Sequence, residues 1–383
     1  MHQKKRVLIY SEYWTSRGGG EKYMLCIVET LLRAGYDVTI VTHAASRFDR
    51  DAVARYFQVQ IEAARIVEIE GELPAFRRKS EQLSRDFDIC FFMTNYRLFH
   101  SHARQTFVVL QIPYGKIGLL SPLGRLIRFQ PKEGGKDFFR RQLLKRLKET
   151  HAVLVYSKFV HDALERIHGI PSTILEPPID DFMIDGMQKE RLILSVGRFF
   201  RGLYNDKRYD ILIAAFKQLC SHLPNTTWQY RLVGSCGEDE ASRRYLAELR
   251  DAAKGFPIYF AVNAGYEDLK RHYNEATLFW HAAGFGINEE KHPERAEHFG
   301  MSTLEAMSAR CVPVVINRGG QKEIVSHAES GYLWLSVDEL VEHSLRLIND
   351  QSLLAAMQAN ARARSKEFDR EHFSNKLLTI LEP

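Results

Sequence analysis

Two glutamates, Glu297 and Glu305, stand on either side of a short turn in the stretch PERAEHFGMSTLEAM, residues 293–307. A run of helix formers follows Gly300, which predicts a helix that begins there with unpaired backbone N–H groups. Such a helix start binds phosphate. One carboxylate before the helix and one inside it could each hold hydroxyl groups of the same ligand. The alternative for Glu305 is a solvated helix position, although its neighbours in MSTLEAMSA are small or apolar.

A second group of candidates follows a predicted strand in SVGRFFRGLYNDKRYDILIAAF, residues 195–216. Arg198 comes directly after the strand, and Lys207 precedes the next helix. Because ligands of α/β sheets bind at the carboxyl ends of strands, these two cations could converge on one diphosphate. Arg201 and Arg208 show that cations are plentiful here, so a basic surface loop is an equal alternative.

Three consecutive glycines in SRGGGEK, residues 16–22, form a third candidate site between the first strand and the first helix. Glycine lets backbone approach a ligand closely, and the helix start that follows favours an anion. The pattern is not GxGxxG, so it does not support a dinucleotide site. We expect Gly19 and Gly20 to contact a phosphate or a substrate, with a plain tight turn as the alternative.

The elements that must position these residues alternate between buried strands and helices, twice along the chain. Each predicted strand is a short apolar run of the kind found in parallel sheets. The predicted strands are 7–10, 37–42, 88–93, 106–110 and 152–156 in the first half, and lie within 191–198, 228–235, 257–262, 276–283, 311–317 and 331–335 in the second. This repetition predicts two doubly wound α/β domains joined by the proline-containing linker 176–190.

Together these motifs resemble the retaining family-4 glycosyltransferases, which have the GT-B fold of two Rossmann-like domains facing a central cleft. Glu297 and Glu305 match the family's signature of Glu, seven residues and Glu, with Phe-Gly between them and Gly-Gly before EIV downstream. SVGRF with Lys207, VLVYSKFVHDAL and LEPPID also resemble family segments, and GGGEK is similar to the glycine loop of lipid-linked-oligosaccharide mannosyltransferases.

The resemblance covers nearly the whole chain and implies a division into domains. Residues 1–180 would form an acceptor-binding Rossmann-like domain, and residues 181–365 a nucleotide-sugar-binding one. Residues 366–383 would form a C-terminal helix that returns to the first domain.

The resemblance also implies a role for each charged candidate. Arg198 and Lys207 would hold the donor diphosphate. Glu305 would take the ribose hydroxyls, and Glu297 the hydroxyls of the donor sugar. Transfer would retain the anomeric configuration by a front-face mechanism, in which the leaving diphosphate helps to deprotonate the acceptor and the cations stabilise its developing charge.

Backbone groups complete the implied donor site. Those of Gly300, Met301 and Ser302 would meet the phosphate or the sugar. Gly19 and Gly20 would approach from the other domain.

The chain departs from the family pattern at two places. The segment between Arg198 and Lys207 is longer than the family's. QIP, at 111–113, stands where related mannosyltransferases often carry His-Tyr-Pro. Gln111 cannot take a proton as histidine can. It could hydrogen-bond an acceptor, or be a buried polar residue satisfied by backbone.

We expect neither a metal ion nor a cofactor. Asp86 and Asp88 form an Asp-x-Asp, but hard cations need more oxygen ligands than this pair offers, and Asp88 suits the entry of a strand. His281, His292 and His298 are spaced too widely for zinc. His281 ends a predicted strand and stays a candidate site residue, whereas His298 is expected to pack at the turn.

Residues 124–148 concentrate positive charge, with nine basic and two acidic side chains. A basic amphipathic helix can lie on an anionic membrane, where each Lys or Arg contributes about 1 kcal/mol. The segment from Arg125 to Lys148 is therefore a candidate for peripheral membrane contact. A helix that faces the core and has a solvated basic side is an equal alternative. Its apolar stripe consists of Phe138, Phe139, Leu143, Leu144 and Leu147.

Composition is ordinary for a soluble globular protein, and the net charge of +5 is too small to imply a nucleic-acid partner. The five cysteines include no CxxC pair, which favours a reduced chain. The start of the sequence lacks the ~7–15-residue apolar region of a signal peptide, and no stretch approaches the ~20 apolar residues of a membrane span. We expect a cytoplasmic protein, on the inner face of the membrane if the basic segment binds lipid.

The sequence thus predicts a glycosyltransferase that moves a hexose, mannose first, to a glycan or a lipid-linked glycan. The likeness to mannosyltransferases favours GDP-mannose as donor, with UDP-sugars next. One alternative is a phosphorylase or a sucrose- or trehalose-type enzyme on the same fold, which would have no use for the basic segment. A non-catalytic sugar-nucleotide-binding protein is the other, and the intact Glu297, Glu305 and Arg198 argue against it.

Overall fold

The computed structural model describes residues 4–11, 14, 18–94, 97–117, 131–201 and 206–382, without the side chains of 131–136. The chain forms two compact units. One contains Met1–Pro178 and Arg370–Pro383, and the other is Ile179–Asp369. The family resemblance implied divisions after residues 180 and 365. Each unit is a parallel sheet whose strands alternate with helices, which confirms the predicted fold class of two doubly wound α/β domains.

The sheets have seven and six strands, in the orders β3-β2-β1-β4-β5-β6-β7 and β10-β9-β8-β11-β12-β13. Strand order reverses beside β1 in the first sheet and beside β8 in the second, and α/β proteins bind ligands at such switch points. The strands are β1 Arg6–Ser11, β2 Asp37–His43, β3 Arg65–Ile69, β4 Ile89–Met93, β5 Gln105–Leu110, β6 Ala152–Val155, β7 Thr173–Ile174, β8 Leu192–Val196, β9 Gln229–Gly234, β10 Ile258–Val262, β11 Leu278–His281, β12 Val312–Ile316 and β13 Tyr332–Trp334.

Helices connect the strands, and their apolar sides pack against the sheets; each unit contains a cluster of buried apolar residues. They are α1 Gly19–Arg33, α2 Arg50–Phe57, α3 Leu73–Leu83, α4 Pro131–Leu147, α5 Lys158–His168, α6 Tyr209–His222, α7 Glu240–Ala252, α8 Tyr266–Glu275, α9 Met301–Ser308, α10 Gln321–Ile324, α11 Val337–Asn349, α12 Gln351–Ser365 and α13 Arg370–Leu381. No helix in the described part of the chain is both long enough and apolar enough to cross a bilayer.

Two strands of the first sheet are absent from the sequence prediction. Strand β3 lies at the edge of the sheet, and Ile69 is its one buried position, so it shows no continuous apolar run. Strand β7 has two residues, too few to give a pattern. The other strands were predicted correctly because interior strands such as β4 and β12 are buried at every position and therefore appear in the sequence as continuous apolar runs.

The last helix, α13, belongs to the first unit and packs against α1. The rings of Phe373 and Tyr23 lie 5.3 Å apart, edge to face. Arg370 Nη1 lies 3.1 Å from an oxygen of Glu29, which is buried in α1. This packing explains why α1 is buried continuously over residues 21–31, on more than one face.

Candidate functional site

The candidates of the second unit gather where β8 and β11 end. These strands are neighbours in the sheet, next to the point where strand order reverses. The chain runs from β8 into Arg198 and reaches Lys207 just before α6. From His281 at the end of β11 it runs on to Glu297, ahead of α9. The structure brings Lys207, His281 and Glu297 into contact.

A buried ion pair joins Lys207 to Glu297. Lys207 Nζ donates to Glu297 Oε2, and His281 Nε2 lies 3.0 Å from the same oxygen. Glu297 is 9% exposed and His281 2%. Burial alone would raise the pKa of Glu297, but the Lys207 ammonium and the His281 ring hold this pKa well below its usual value. Glu297 is therefore a charged carboxylate at neutral pH.

Glycines make room for this cluster. A Cβ at Gly197 would lie 2.9 Å from Lys207 Cε and from Tyr209 Oη. A Cβ at Gly234 would lie 1.7 Å from the carbonyl oxygen of Gly197. A side chain does not fit at either distance. Glycine at 197 therefore leaves room for Lys207 and Tyr209, and glycine at 234 leaves room for the backbone of Gly197.

Arg198 differs from the neighbouring cations. Arg201 lies 3.2 Å from Glu248, and Arg208 lies 3.1 Å from Asp210. Arg198 is exposed, and among the described residues no carboxylate pairs with its guanidinium. The alternative interpretation, a basic surface loop, therefore applies to Arg201 and Arg208, which are paired with carboxylates. Arg198 is available to an anionic ligand. Residues 202–205 of the long segment noted in the sequence lie outside the described residues.

Helix α9 begins at Met301 with an open N-terminus. Within the described ranges, no acceptor pairs with the N–H groups of Met301 and Ser302. Gly300 has a φ of 122°, and a Cβ there would lie 2.8 Å from Ile324 Cδ1 and 2.9 Å from Gln321 Nε2. Glycine is therefore required at the turn, and two backbone donors face an incoming anion.

Glu305 is half-buried on α9 and has a partner that the sequence did not indicate. The hydroxyl of Tyr273, on α8, donates to Glu305 Oε2 at 2.9 Å. Burial and then the charge of Glu305 raise the pKa of Tyr273, so this tyrosine stays a donor. Glu305 is not the solvated helix residue of the alternative interpretation. Tyr273 was missed because nothing local marks a contact between residues 32 positions apart.

In the glycine turn of the first unit, Gly20 packs against residues of the same unit. A Cβ at Gly20 would lie 2.2 Å from Gln111 Nε2 and 3.1 Å from Met93 Sδ, whereas Gly19 is exposed at the start of α1. Gln111 Nε2 donates to the Tyr156 hydroxyl at 2.7 Å, so its partner is a side chain and not the backbone. Close packing accounts for Gly20 without a ligand, and ligand contact by Gly19 and Gly20 stays a prediction.

The apolar stripe of the basic segment lies mostly inside the protein. Leu143, Leu144 and Leu147 belong to the core of the first unit, so the idea that they face lipid is wrong for this conformation. The amphipathic period arises because α4 covers the sheet. Phe138 is 52% exposed, and the Arg97 guanidinium covers Phe139 at 3.8 Å.

The charged side of α4 is described only in part. Lys145 and Lys148 are exposed, whereas Arg140 is buried against Asp137 at 3.0 Å. Arg125 and Arg128 lie outside the described residues, as do the side chains of Lys132 and Lys136.

The remaining titratable candidates do not form a metal centre. In the part of the chain that the structure describes, no three His, Cys, Asp or Glu side chains are arranged to hold an ion. Asp88 precedes β4 and accepts the Arg6 N–H at 2.9 Å, in keeping with its interpretation as a strand-entry residue. His298 lies 3.2 Å from the Glu294 carbonyl oxygen, and burial lowers its pKa.

Two protein-family models match the two halves of the chain. The model described as Glycosyltransferase Family 4 matches residues 17–181, and the one described as Glycosyl transferases group 1 matches residues 182–364.

Two curated proteins illustrate the sequence likeness. The chain is 30% identical over 234 residues to a Xenopus laevis protein named GDP-Man:Man(3)GlcNAc(2)-PP-Dol alpha-1,2-mannosyltransferase, covering 55% of this chain and 44% of that protein. It is 26% identical over 224 residues to human alpha-1,3/1,6-mannosyltransferase ALG2, covering 54% of this chain and 48% of that one. The chain spans about half the length of the curated relatives it matches.

Solved structures resemble the chain along nearly its whole length. Sucrose-phosphate synthase from Thermosynechococcus elongatus has a TM-score of 0.71 at 18% identity, covering 99% of this chain and 98% of that one. Anabaena HepE in complex with UDP and glucose has a TM-score of 0.68 at 16% identity, covering 99% and 100%. At these identities the likeness concerns the fold.

Proposed function

The chain belongs to the family-4 glycosyltransferases of GT-B fold, and from that premise we propose that it transfers a hexose from a nucleoside-diphosphate sugar to a lipid-linked glycan, with retention of configuration. The names of its relatives include GDP-Man and a PP-Dol-linked oligosaccharide. GDP-mannose is therefore the first donor to test, with UDP-sugars next.

The observation that carries this proposal is the arrangement of charge at the switch point of the second sheet. Arg198 is an exposed cation without a carboxylate partner in the described chain, and Lys207 lies beside the buried Glu297. The open N-terminus of α9 adds backbone donors. A diphosphate bound here would meet two cations and a helix start.

The hydroxyl groups of the donor would meet the two carboxylates. Glu305, oriented by Tyr273, would accept hydrogen bonds from the ribose hydroxyls. Glu297 would accept from the donor sugar. Both carboxylates accept hydrogen bonds and are themselves held by protein donors, which suits them to bind neighbouring hydroxyl groups.

Catalysis would follow from stabilising the leaving group. Negative charge develops on the diphosphate as its bond to the sugar breaks, and Arg198 and Lys207 would stabilise that charge with the N–H groups of α9. A phosphate oxygen of the leaving group would take the proton of the attacking hydroxyl, so no side chain need act as base and no metal is required.

The acceptor would be held by the first unit. Gly19 and Gly20 stay the candidates for ligand contact there.

Phe138 and Lys145 on α4, and Lys148 just after it, offer an exposed aromatic ring and exposed cations, which is the chemistry of a weak anionic-membrane contact.

Thermal unfolding with GDP, UDP, ADP and their sugar conjugates tests the donor site. A ligand at 100 times its Kd adds about 2.7 kcal/mol to the unfolding free energy, so binding raises Tm. We expect stabilisation by one base, and a loss of affinity of about tenfold or more in Arg198→Ala, because charged hydrogen bonds are lost. Arg201→Ala is the matched control, since Arg201 is paired with Glu248.

The proposal would be contradicted if no nucleotide raised Tm, or if Arg198→Ala and Arg201→Ala lost nucleotide affinity equally. Transfer confined to free sugars or phosphate would instead support the phosphorylase or sucrose-type alternative. Binding without any transfer would support the non-catalytic one.

A further inference from the structure

His281 provides a second donor to the Glu297 carboxylate. Its Nε2 lies 3.0 Å from Glu297 Oε2, the oxygen to which Lys207 also donates. His281 ends β11, an interior strand, whereas Lys207 belongs to the segment ahead of α6. One carboxylate oxygen is therefore held from two different elements.

The geometry determines the tautomer of the His281 ring. A carboxylate oxygen only accepts hydrogen bonds, so Nε2 must carry the hydrogen. The other nitrogen, Nδ1, is buried and has no partner among the described residues. A proton on Nδ1 would have no acceptor there. Burial, with Lys207 Nζ 3.4 Å from Nε2, lowers the pKa of His281, so the ring is a neutral donor at neutral pH.

The other titratable groups around Glu297 are also neutral. Tyr209, in the first turn of α6, and His298, in the turn before α9, both interact with its charge. Burial raises the pKa of Tyr209 and lowers that of His298. In the described chain, Lys207 is thus the cation that faces Glu297.

A diphosphate competes with Glu297 for this cation. When a phosphate oxygen engages Lys207, the ammonium would be shared between two anions and would hold the carboxylate less firmly. Glu297 is 9% exposed, so its carboxylate would be costly to leave without a donor. We propose that His281 is a positioning residue, whose Nε2–H keeps the Glu297 carboxylate in place when the donor diphosphate engages Lys207. A neutral donor suits this task because it does not itself attract the diphosphate. This inference rests on the proposed function.

Two substitutions in the full chain separate positioning from mere packing. His281→Gln retains a side-chain N–H donor at about the reach of Nε2, whereas His281→Leu fills the space without one. We expect the Kd for GDP to stay within about threefold of the wild type in the glutamine variant. It should rise by more than about threefold in the leucine variant, because GDP that engages Lys207 would then leave the buried Glu297 carboxylate without its second donor. The kcat for transfer should fall about 10- to 100-fold in the leucine variant, from loss of a hydrogen bond to a charge, and recover largely in the glutamine variant.

A leucine variant with the kcat of the wild type would overturn the proposal, as would a stable glutamine variant that shows no recovery. If the wild type binds no nucleoside diphosphate, the proposed function fails independently of the role of His281.

A second measurement does not depend on turnover. Nitrogen-15 NMR of histidine-labelled protein, with His281→Gln used to assign the signal, reports the tautomer directly. We expect the neutral Nε2–H form in the free protein and again with saturating GDP. A cationic ring, or the Nδ1–H form in the free protein, would contradict the assignment.

Discussion

At the scale of single residues, the two signature carboxylates were predictable and their partners were not. Glu297 and Glu305 are recognised from one short local stretch. The residues that hold them come from elsewhere in the chain, since Lys207 lies 90 positions from Glu297 and Tyr273 lies 32 from Glu305. Such pairings depend on which strands are neighbours, and that order is a property of the folded sheet.

The buried histidines predict a pH dependence of stability. Burial holds the pKa of His298 below its ordinary value of about 6.5. As pH falls below that value, the unfolded chain takes up protons that the folded chain does not, so the unfolding free energy decreases. We expect denaturant unfolding to show this loss between about pH 7.5 and about pH 5.5, and His298→Gln to show a smaller one. His292→Gln, at an exposed position, is the control, and an equal slope in all three proteins would contradict the expectation.

At the scale of elements, the start of α9 depends on one glycine. Gly300 has a φ of 122° and packs against Gln321 and Ile324, whereas Gly255 has a φ of 80° and open space around it. We expect Gly255→Ala to cost about 1–2 kcal/mol for backbone conformation alone. Gly300→Ala should cost about 1–3 kcal/mol more, from overpacking. Denaturant unfolding measures both, and equal costs would show that the packing around Gly300 adjusts freely.

Helix α4 illustrates why a sequence period alone does not identify a membrane surface. Its leucines recur at helical spacing, and this pattern is the same whether they face lipid or a sheet. Leu143 is 1% exposed and Phe138 is 52% exposed. Only the folded structure distinguishes the two positions.

These two positions predict opposite effects of substitution. We expect Leu143→Ala to lower the unfolding free energy by about 2–5 kcal/mol. Phe138→Asp should leave stability nearly unchanged and reduce co-sedimentation with anionic vesicles at low salt. If the wild type does not co-sediment, the membrane proposal fails, whatever the variant does.

At the scale of the whole molecule, the last helix, α13, packs against the first helix, α1, within the first unit. Glu29, in α1, accepts the Gln60 N–H at 2.9 Å and pairs with Arg370 of α13 at 3.1 Å. The alternation of strands and helices predicted two doubly wound domains. The contact between α1 and α13 could not be read from composition or periodicity, because neither contains information about a contact that spans the chain.

Substitution of Glu29 tests whether nucleotide binding is a property of the second unit. We expect Glu29→Ala to lower the stability of the first unit by about 1–3 kcal/mol, since it removes the hydrogen bonds of a buried carboxylate to the Gln60 N–H and to Arg370. The affinity for GDP should stay unchanged, because the proposed nucleotide site lies in the second unit. Glu165→Ala, at an exposed pair, should change stability by less than about 0.5 kcal/mol. A loss of GDP affinity in Glu29→Ala alone would contradict this division.

The most direct test is transfer of mannose from GDP-mannose to a lipid-linked glycan by the wild type, Glu297→Ala and Glu305→Ala, with GDP binding measured in parallel. We expect the wild type to turn over. Glu305→Ala should bind GDP about tenfold or more weakly, and Glu297→Ala should bind GDP but transfer about 10- to 100-fold more slowly, because each loses hydrogen bonds to a charge. Turnover at the wild-type rate in both variants would contradict the assignment of the donor site to the switch point of the second sheet.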